Sequence, residues 1–131
     1  MAQIQQGSDT VVTQMIQALH DVSHWASSCS VRCIENMEED GMDMCARLCL
    51  DAETVAEAMA TIAARGSPHA GSMAGCVKDV IADCGDHCAR MLGAAGDGQH
   101  TMESCAEACR SAVERMDAFI SAHHAGGGRG A

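Results

Sequence analysis

At four places in the chain two cysteines stand four residues apart: Cys29/Cys33, Cys45/Cys49, Cys84/Cys88 and Cys105/Cys109. On an α-helix, positions i and i+4 share a face one turn apart, so each pair aims two thiols in one direction. The turn signals of the chain leave one such pair in each stretch of helical periodicity. The repeat therefore constrains the fold toward a helical bundle whose thiol-bearing faces meet.

The punctuation predicts four helices. The first spans about 9–38, from a Ser8/Asp9 cap to the break Glu39-Asp40-Gly41. Its inward residues are Val12, Met15, Leu19, Val22, Ala26, Cys29, Cys33 and Met37, at steps of three and four. The second spans about 42–65, facing inward through Cys45, Leu48, Cys49, Ala52, Val55, Ala56, Met59 and Ile62. Gly66 suits a left-handed helix end, and Ser67-Pro68 is a start signal for the third helix, about 68–92. That helix is expected to face inward through Met73, Cys76, Val80, Cys84, Cys88 and Met91. After Gly93 and Gly96-Asp97-Gly98, the fourth spans about 99–122, through Met102, Cys105, Cys109, Ala112, Met116 and Phe119. The Gly-rich tail, 125–131, is expected to be disordered.

Short breaks between long helices favour antiparallel neighbours. The predicted fold is all-α: one domain, residues 1–131, forming an up-down-up-down four-helix bundle. No strand signal competes. In that topology the cysteine pair lies late in the first helix, early in the second, late in the third and early in the fourth. All four positions fall at the same end, so eight thiols converge there. Cys76 is expected two turns deeper on the face of Cys84. The other end receives Val12, Met15, Met59, Ile62, Met73, Met116 and Phe119, an apolar plug.

Composition narrows the chemistry. The chain has 131 residues, a formal net charge of −10, nine Cys and ten Met, and no Tyr. The acidic balance argues against a nucleic-acid surface. No apolar run reaches membrane-spanning length. Met1 to Thr10 is polar and lacks a basic n-region and an apolar h-region, so a cytoplasmic location with reduced thiols is expected. An odd cysteine count does not suit a disulfide framework, and i,i+4 bridging on one regular helix is strained.

Thiolates are soft ligands that select Cu(I), Zn(II) and iron–sulfur clusters. Nine inward cysteines exceed the tetrahedral set that one zinc needs. Cu(I) tolerates low coordination and shares bridging thiolates, giving a capacity on the order of four to nine ions. The expected ligands are Cys29, Cys33, Cys45, Cys49, Cys76, Cys84, Cys88, Cys105 and Cys109. Met37, Met42, Met91 and Met102 each flank a cysteine pair on its outward side, and thioethers also suit Cu(I). They read as a ring at the mouth of the thiol end, against the plainer reading that Met fills a loose cap. His87 adjoins Cys88 and is a further candidate at the mouth; His100 lies in the loop at the same end. His20 and His24 flank the inward row and read as a solvated face. His123 and His124 are expected to bind nothing.

Catalysis has no visible apparatus. Inward Glu-x-x-His motifs of a di-iron bundle are missing, and catalysis by a reactive cysteine calls for one activated thiol rather than four matched pairs. Two alternatives to copper stay open. One Cys from each helix could ligate an iron–sulfur cubane for electron transfer or sensing, and a structural zinc bundle would unfold on chelation.

With the four CxxxC repeats, the Glu38-Glu39-Asp40-Gly41 break and the segment Cys105-Ala-Glu-Ala-Cys109-Arg-Ser-Ala-Val-Glu-Arg-Met116 in view, the chain resembles the bacterial copper storage proteins over about Asp9 to Ala122. The resemblance implies a cysteine-lined four-helix bundle that stores many Cu(I) ions, a homo-oligomer (a tetramer), and the cytosolic branch of the family. A copper donor or acceptor protein would be a partner. Members usually carry more cysteines along the whole bundle. Here Leu19, Val22, Ala26, Ala52, Val55, Val80 and Ala112 hold inward places, which implies a smaller store confined to one end and leaves room for buffering.

Overall fold

The computed structural model describes the backbone of residues 2–130 and the side chains of residues 9–123; the side chains of His124 and of the Gly-rich tail, and all of Ala131, lie outside these described residues. Four helices carry the fold: α1 (Ala2–Glu35), α2 (Met42–Ala64), α3 (Ala70–Arg90) and α4 (Gln99–Gly130), with two short 3-10 turns at Leu92–Ala94 and Gly96–Gly98. α1 packs against α2 and α4, and α3 packs against the same two. The chain therefore goes round a square, up-down-up-down, with α1 diagonal to α3 and α2 diagonal to α4. None of the helices is long and apolar enough to cross a membrane, among the described residues.

Local chemistry sets the helix ends. α1 stops at Glu35, where Asn36 takes over: its Nδ2 donates to the Arg32 carbonyl at 2.8 Å and its N–H tightens onto the Cys33 carbonyl at 3.2 Å. Gly41 then enters α2 at φ 91°, a left-handed angle that favours glycine. α2 ends in a Schellman motif: Gly66, at φ 67°, donates to the Ala63 carbonyl and Ser67 to the Ile62 carbonyl. The Ser67 hydroxyl accepts from the His69 N–H at 3.1 Å, so the start signal caps a single turn, and α3 proper begins at Ala70.

The core is built from small and sulfur-bearing side chains. Fully buried are Met15, Leu19, Val22, Ala26, Ala52, Ala56, Met59, Ala74, Ile81, Ala112 and Met116, together with eight cysteines, and Phe119 sits at the edge of this core. Small residues let helices approach closely. Gly85 on α3 shows how closely: a Cβ there would stand 2.7 Å from the Cβ of Cys109 on α4.

One expected face is rotated. The buried face of α3 is Ala70, Ala74, Val77, Ile81, Cys84 and Cys88, whereas Cys76 is exposed and Met73 and Val80 are only half-buried at its edges. Eight residues make about 2.2 helical turns, which leaves Cys76 about 80° around the axis from Cys84. Seven residues bring Val77 back to within about 20° of it. The expectation that Cys76 extends the cluster inward is therefore corrected.

Candidate metal centre

Each helix delivers its two thiols to the same end of the square. Cys29 and Cys33, Cys45 and Cys49, Cys84 and Cys88, and Cys105 and Cys109 all have no exposed surface. Their spacing of four puts each pair on the buried stripe, and the antiparallel order stacks the stripes side by side. Cys88 is the centre of the cluster. Its Sγ lies 3.7 Å from Cys29, 3.8 Å from Cys45, 3.7 Å from Cys49 and 3.9 Å from Cys105. Cys84 reaches Cys49 at 3.8 Å, and Cys29 reaches its own helix neighbour Cys33 at 4.0 Å.

The sulfurs form three overlapping groups, within each of which all Sγ atoms lie inside 4.8 Å of one another: Cys29, Cys33, Cys45 and Cys49; Cys29, Cys49, Cys88 and Cys105; and Cys84, Cys105 and Cys109. Cys29 and Cys49 belong to two groups, and so does Cys105. All eight thiols are thus one connected network rather than separate sites.

Mutual hydrogen bonding divides the thiols electrostatically. Cys88 is held well below the ordinary thiol range because Cys105, then Cys29, Cys45 and Cys49, can point S–H groups at its sulfur. Cys84 is lowered in the same way, by Cys105 first and then Cys109, Cys49 and Cys88. Cys49 and Cys105 are pushed up as donors, Cys49 chiefly to Cys105 and Cys105 chiefly to Cys109. Cys45 is raised chiefly through Cys29. Cys109 is lowered by Cys105 but raised by Cys84 and by burial, and the rise prevails.

Met42 and Met102 are fully buried, one turn from Cys45 and Cys105. Met91 is half-buried and lies on Gly41, where a Cβ would come within 3.0 Å of its sulfur and terminal methyl. Met37 departs from the expectation: it sits in the turn after α1 and is 49% exposed, because the helix that would have held it inward ends at Glu35. His87 is part-buried at this end, its Nε2 3.0 Å from the Gly41 carbonyl. When Nε2 donates that bond, Nδ1 keeps its lone pair.

The remaining histidines lie apart from the thiols. His20 and His24 are exposed, and the His24 and His100 rings meet Trp25 edge-on at 4.9 and 6.1 Å. His123 stacks on Phe119. Sequence reasoning missed the glycines that shape the site, Gly85 against Cys109 and Gly41 under Met91. A glycine inside a helix beside a cysteine was the available signal for Gly85.

The donor set is all sulfur, buried and shared. A cubane would have to hold four sulfurs apart around a core larger than one ion; here they touch across the bundle axis. Single soft ions that share thiolates fit this spacing.

Residues 8–121 match the family model of the copper storage proteins. The chain belongs to the copper storage protein family. Among solved structures, it is similar to a cytosolic copper storage protein from Streptomyces lividans determined during copper loading, with five coppers. The two share 22% identity and a TM-score of 0.80, covering 88% of this chain and 97% of that one. No curated protein sequence matches the chain. In this copper storage family member the buried thiols stand at one end of the helical square, with Met15, Leu19, Met59 and Met116 filling the other.

Proposed function

We propose that this chain binds several Cu(I) ions through the thiolates of Cys29, Cys33, Cys45, Cys49, Cys84, Cys88, Cys105 and Cys109, and so stores or buffers copper. The observation that carries it is the single buried network of eight sulfurs, two from each helix. Cu(I) displaces thiol protons, and shared corners such as Cys29, Cys49 and Cys105 bridge neighbouring ions. Cys76, exposed on α3, is left out of the ligand set.

Met42, Met91 and Met102, with His87 beside them, form the portal by which Cu(I) passes to the thiols. Met37, exposed in the turn, is left outside the portal. Turnover of a substrate has no part in this reading. The protein works in a reducing cytoplasm and exchanges copper with a donor or acceptor protein. It assembles as a homo-oligomer, a tetramer by family, which would cover part of the exposed apolar surface of Val31, Ile34, Met44 and Leu50 on α1 and α2.

Anaerobic Cu(I) titration against a competing chelator is the test. Several tightly held ions per chain are expected, and saturation at one ion or fewer would end the proposal.

A further inference from the structure

The thiol network contains one group unlike the others: Cys29, Cys49, Cys88 and Cys105 contribute one sulfur from each of the four helices. Around a metal with metal–sulfur bonds of about 2.3 Å, tetrahedral sulfurs stand about 3.8 Å apart. Cys88 already lies 3.7 Å from Cys29, 3.7 Å from Cys49 and 3.9 Å from Cys105. The other three edges are within 4.8 Å. Little movement is needed to close a four-coordinate site, and its sulfurs are sealed from water.

The surrounding thiols supply what such a site needs next. A divalent ion held by four thiolates carries a net charge of −2, which burial opposes unless hydrogen bonds offset it. Three further thiols stand within hydrogen-bonding distance of the tetrad: Cys33 is 4.0 Å from Cys29, Cys45 is 3.8 Å from Cys88, and Cys84 is 3.8 Å from Cys49. Cys33 and Cys45 can each direct an S–H at a ligating sulfur. The network thus holds a tetrathiolate core with donors of its own beside it.

We propose that Cys29, Cys49, Cys88 and Cys105 form a closed tetrahedral site for one divalent thiophilic ion of the zinc class, occupied when Cu(I) is scarce and emptied as Cu(I) loads. The inference rests on the copper reading in one respect, that these thiols are metal ligands. It differs in ion class, stoichiometry and geometry. Binding takes all four ligands to thiolates, each thiol that is still protonated releasing its proton to solvent, and no electron is transferred. Unlike a structural zinc, this ion is not required for folding, because the Met15, Leu19, Met59 and Met116 half packs without it.

Anaerobic titration of the reduced, metal-free full chain with Co(II) reads both number and geometry. One equivalent giving the intense visible bands of tetrahedral tetrathiolate Co(II), displaced by one Zn(II), is the expected result. Cys88→Ser and Cys105→Ser should weaken Co(II) affinity about tenfold or more, whereas Cys76→Ser, outside the thiol network, should retain the wild-type spectrum. Pale octahedral Co(II), absence of binding, or equal losses in Cys76→Ser and Cys88→Ser would overturn the site. Should Cys88→Ser not fold, the wild-type spectrum and stoichiometry still decide. Cu(I) added to the Co(II) form should bleach the bands, and bands that persist at full Cu(I) loading would contradict emptying. A chain that binds one Co(II) tetrahedrally yet saturates at one Cu(I) would sink the storage reading while leaving this site intact.

Discussion

At the scale of single residues, two glycines of α3 make opposite predictions. The Cβ of Gly85→Ala would stand 2.7 Å from the Cys109 Cβ, an atom fixed to the α4 backbone, so α3 and α4 must part. We expect a loss of about 1–3 kcal/mol in the metal-free protein, together with fewer Cu(I) bound, because Cys109 moves off Cys84 and Cys105. Gly75→Ala meets nothing within 4 Å and should stabilise the helix by up to about 1 kcal/mol. Thermal unfolding of both variants, paired with Cu(I) titration, checks the contrast. Cysteine identity follows the same logic. Cys76→Ser should leave Cu(I) capacity unchanged, whereas Cys88→Ser removes the sulfur that touches Cys29, Cys45, Cys49 and Cys105 and should lower it. Equal capacities in the two variants would contradict the central place of Cys88.

At the scale of elements, the turn between α1 and α2 joins the portal to the bundle. Gly41 is left-handed, accepts a hydrogen bond from His87 and lies under Met91. Gly41→Ala combines an unfavourable φ, costing about 1–2 kcal/mol, with a clash against the Met91 thioether. A lowered melting temperature and slower Cu(I) uptake are expected together. The triple variant Met42→Ala, Met91→Ala, Met102→Ala should slow transfer from a Cu(I) chelate while final capacity stays that of the thiols. Stopped-flow transfer separates these outcomes, and an unchanged rate would remove the methionines from the portal. The elements were legible in sequence wherever punctuation was chemical: Gly66 and Ser67 mark the end of α2 in the order the Schellman motif requires. They were less legible where rotation mattered. Counting turns places Cys76 inward, yet a residue eight places away drifts off the stripe, and Val77 and Ile81 occupy the buried face instead.

For the whole molecule, the division into a thiol half and an apolar half makes the metal-free state pH-sensitive. Cys45, Cys49, Cys105 and Cys109 are held above the ordinary thiol value of 9.0 in the folded protein. Their contribution is full below that value and is lost as pH rises through it, since the unfolded chain ionises first. Cys84 and Cys88 are held below 9.0, so their contribution is full above it and declines as pH falls. The raised groups outnumber the lowered ones. Stability of the reduced, metal-free protein should therefore peak near the ordinary thiol value and fall on the alkaline side. Urea unfolding across pH measures this; stability still climbing well above pH 9 would contradict the burial of protonated thiols.

The amino-acid order by itself determined that this protein is a helical bundle with thiols at one end. Four i,i+4 cysteine pairs, on helices separated by short glycine-containing breaks, alternate late and early along the helices, and antiparallel packing turns that alternation into a common level. Only the tertiary structure decided which sulfurs meet. The angle at which each helix turns its stripe to the axis places Cys88 among four neighbours, leaves Cys76 and Met37 outside, and brings the backbone at Gly85 against Cys109. The physical reason is that spacing along a helix fixes only relative direction within that helix, whereas distances between helices depend on the small residues that let four backbones close together.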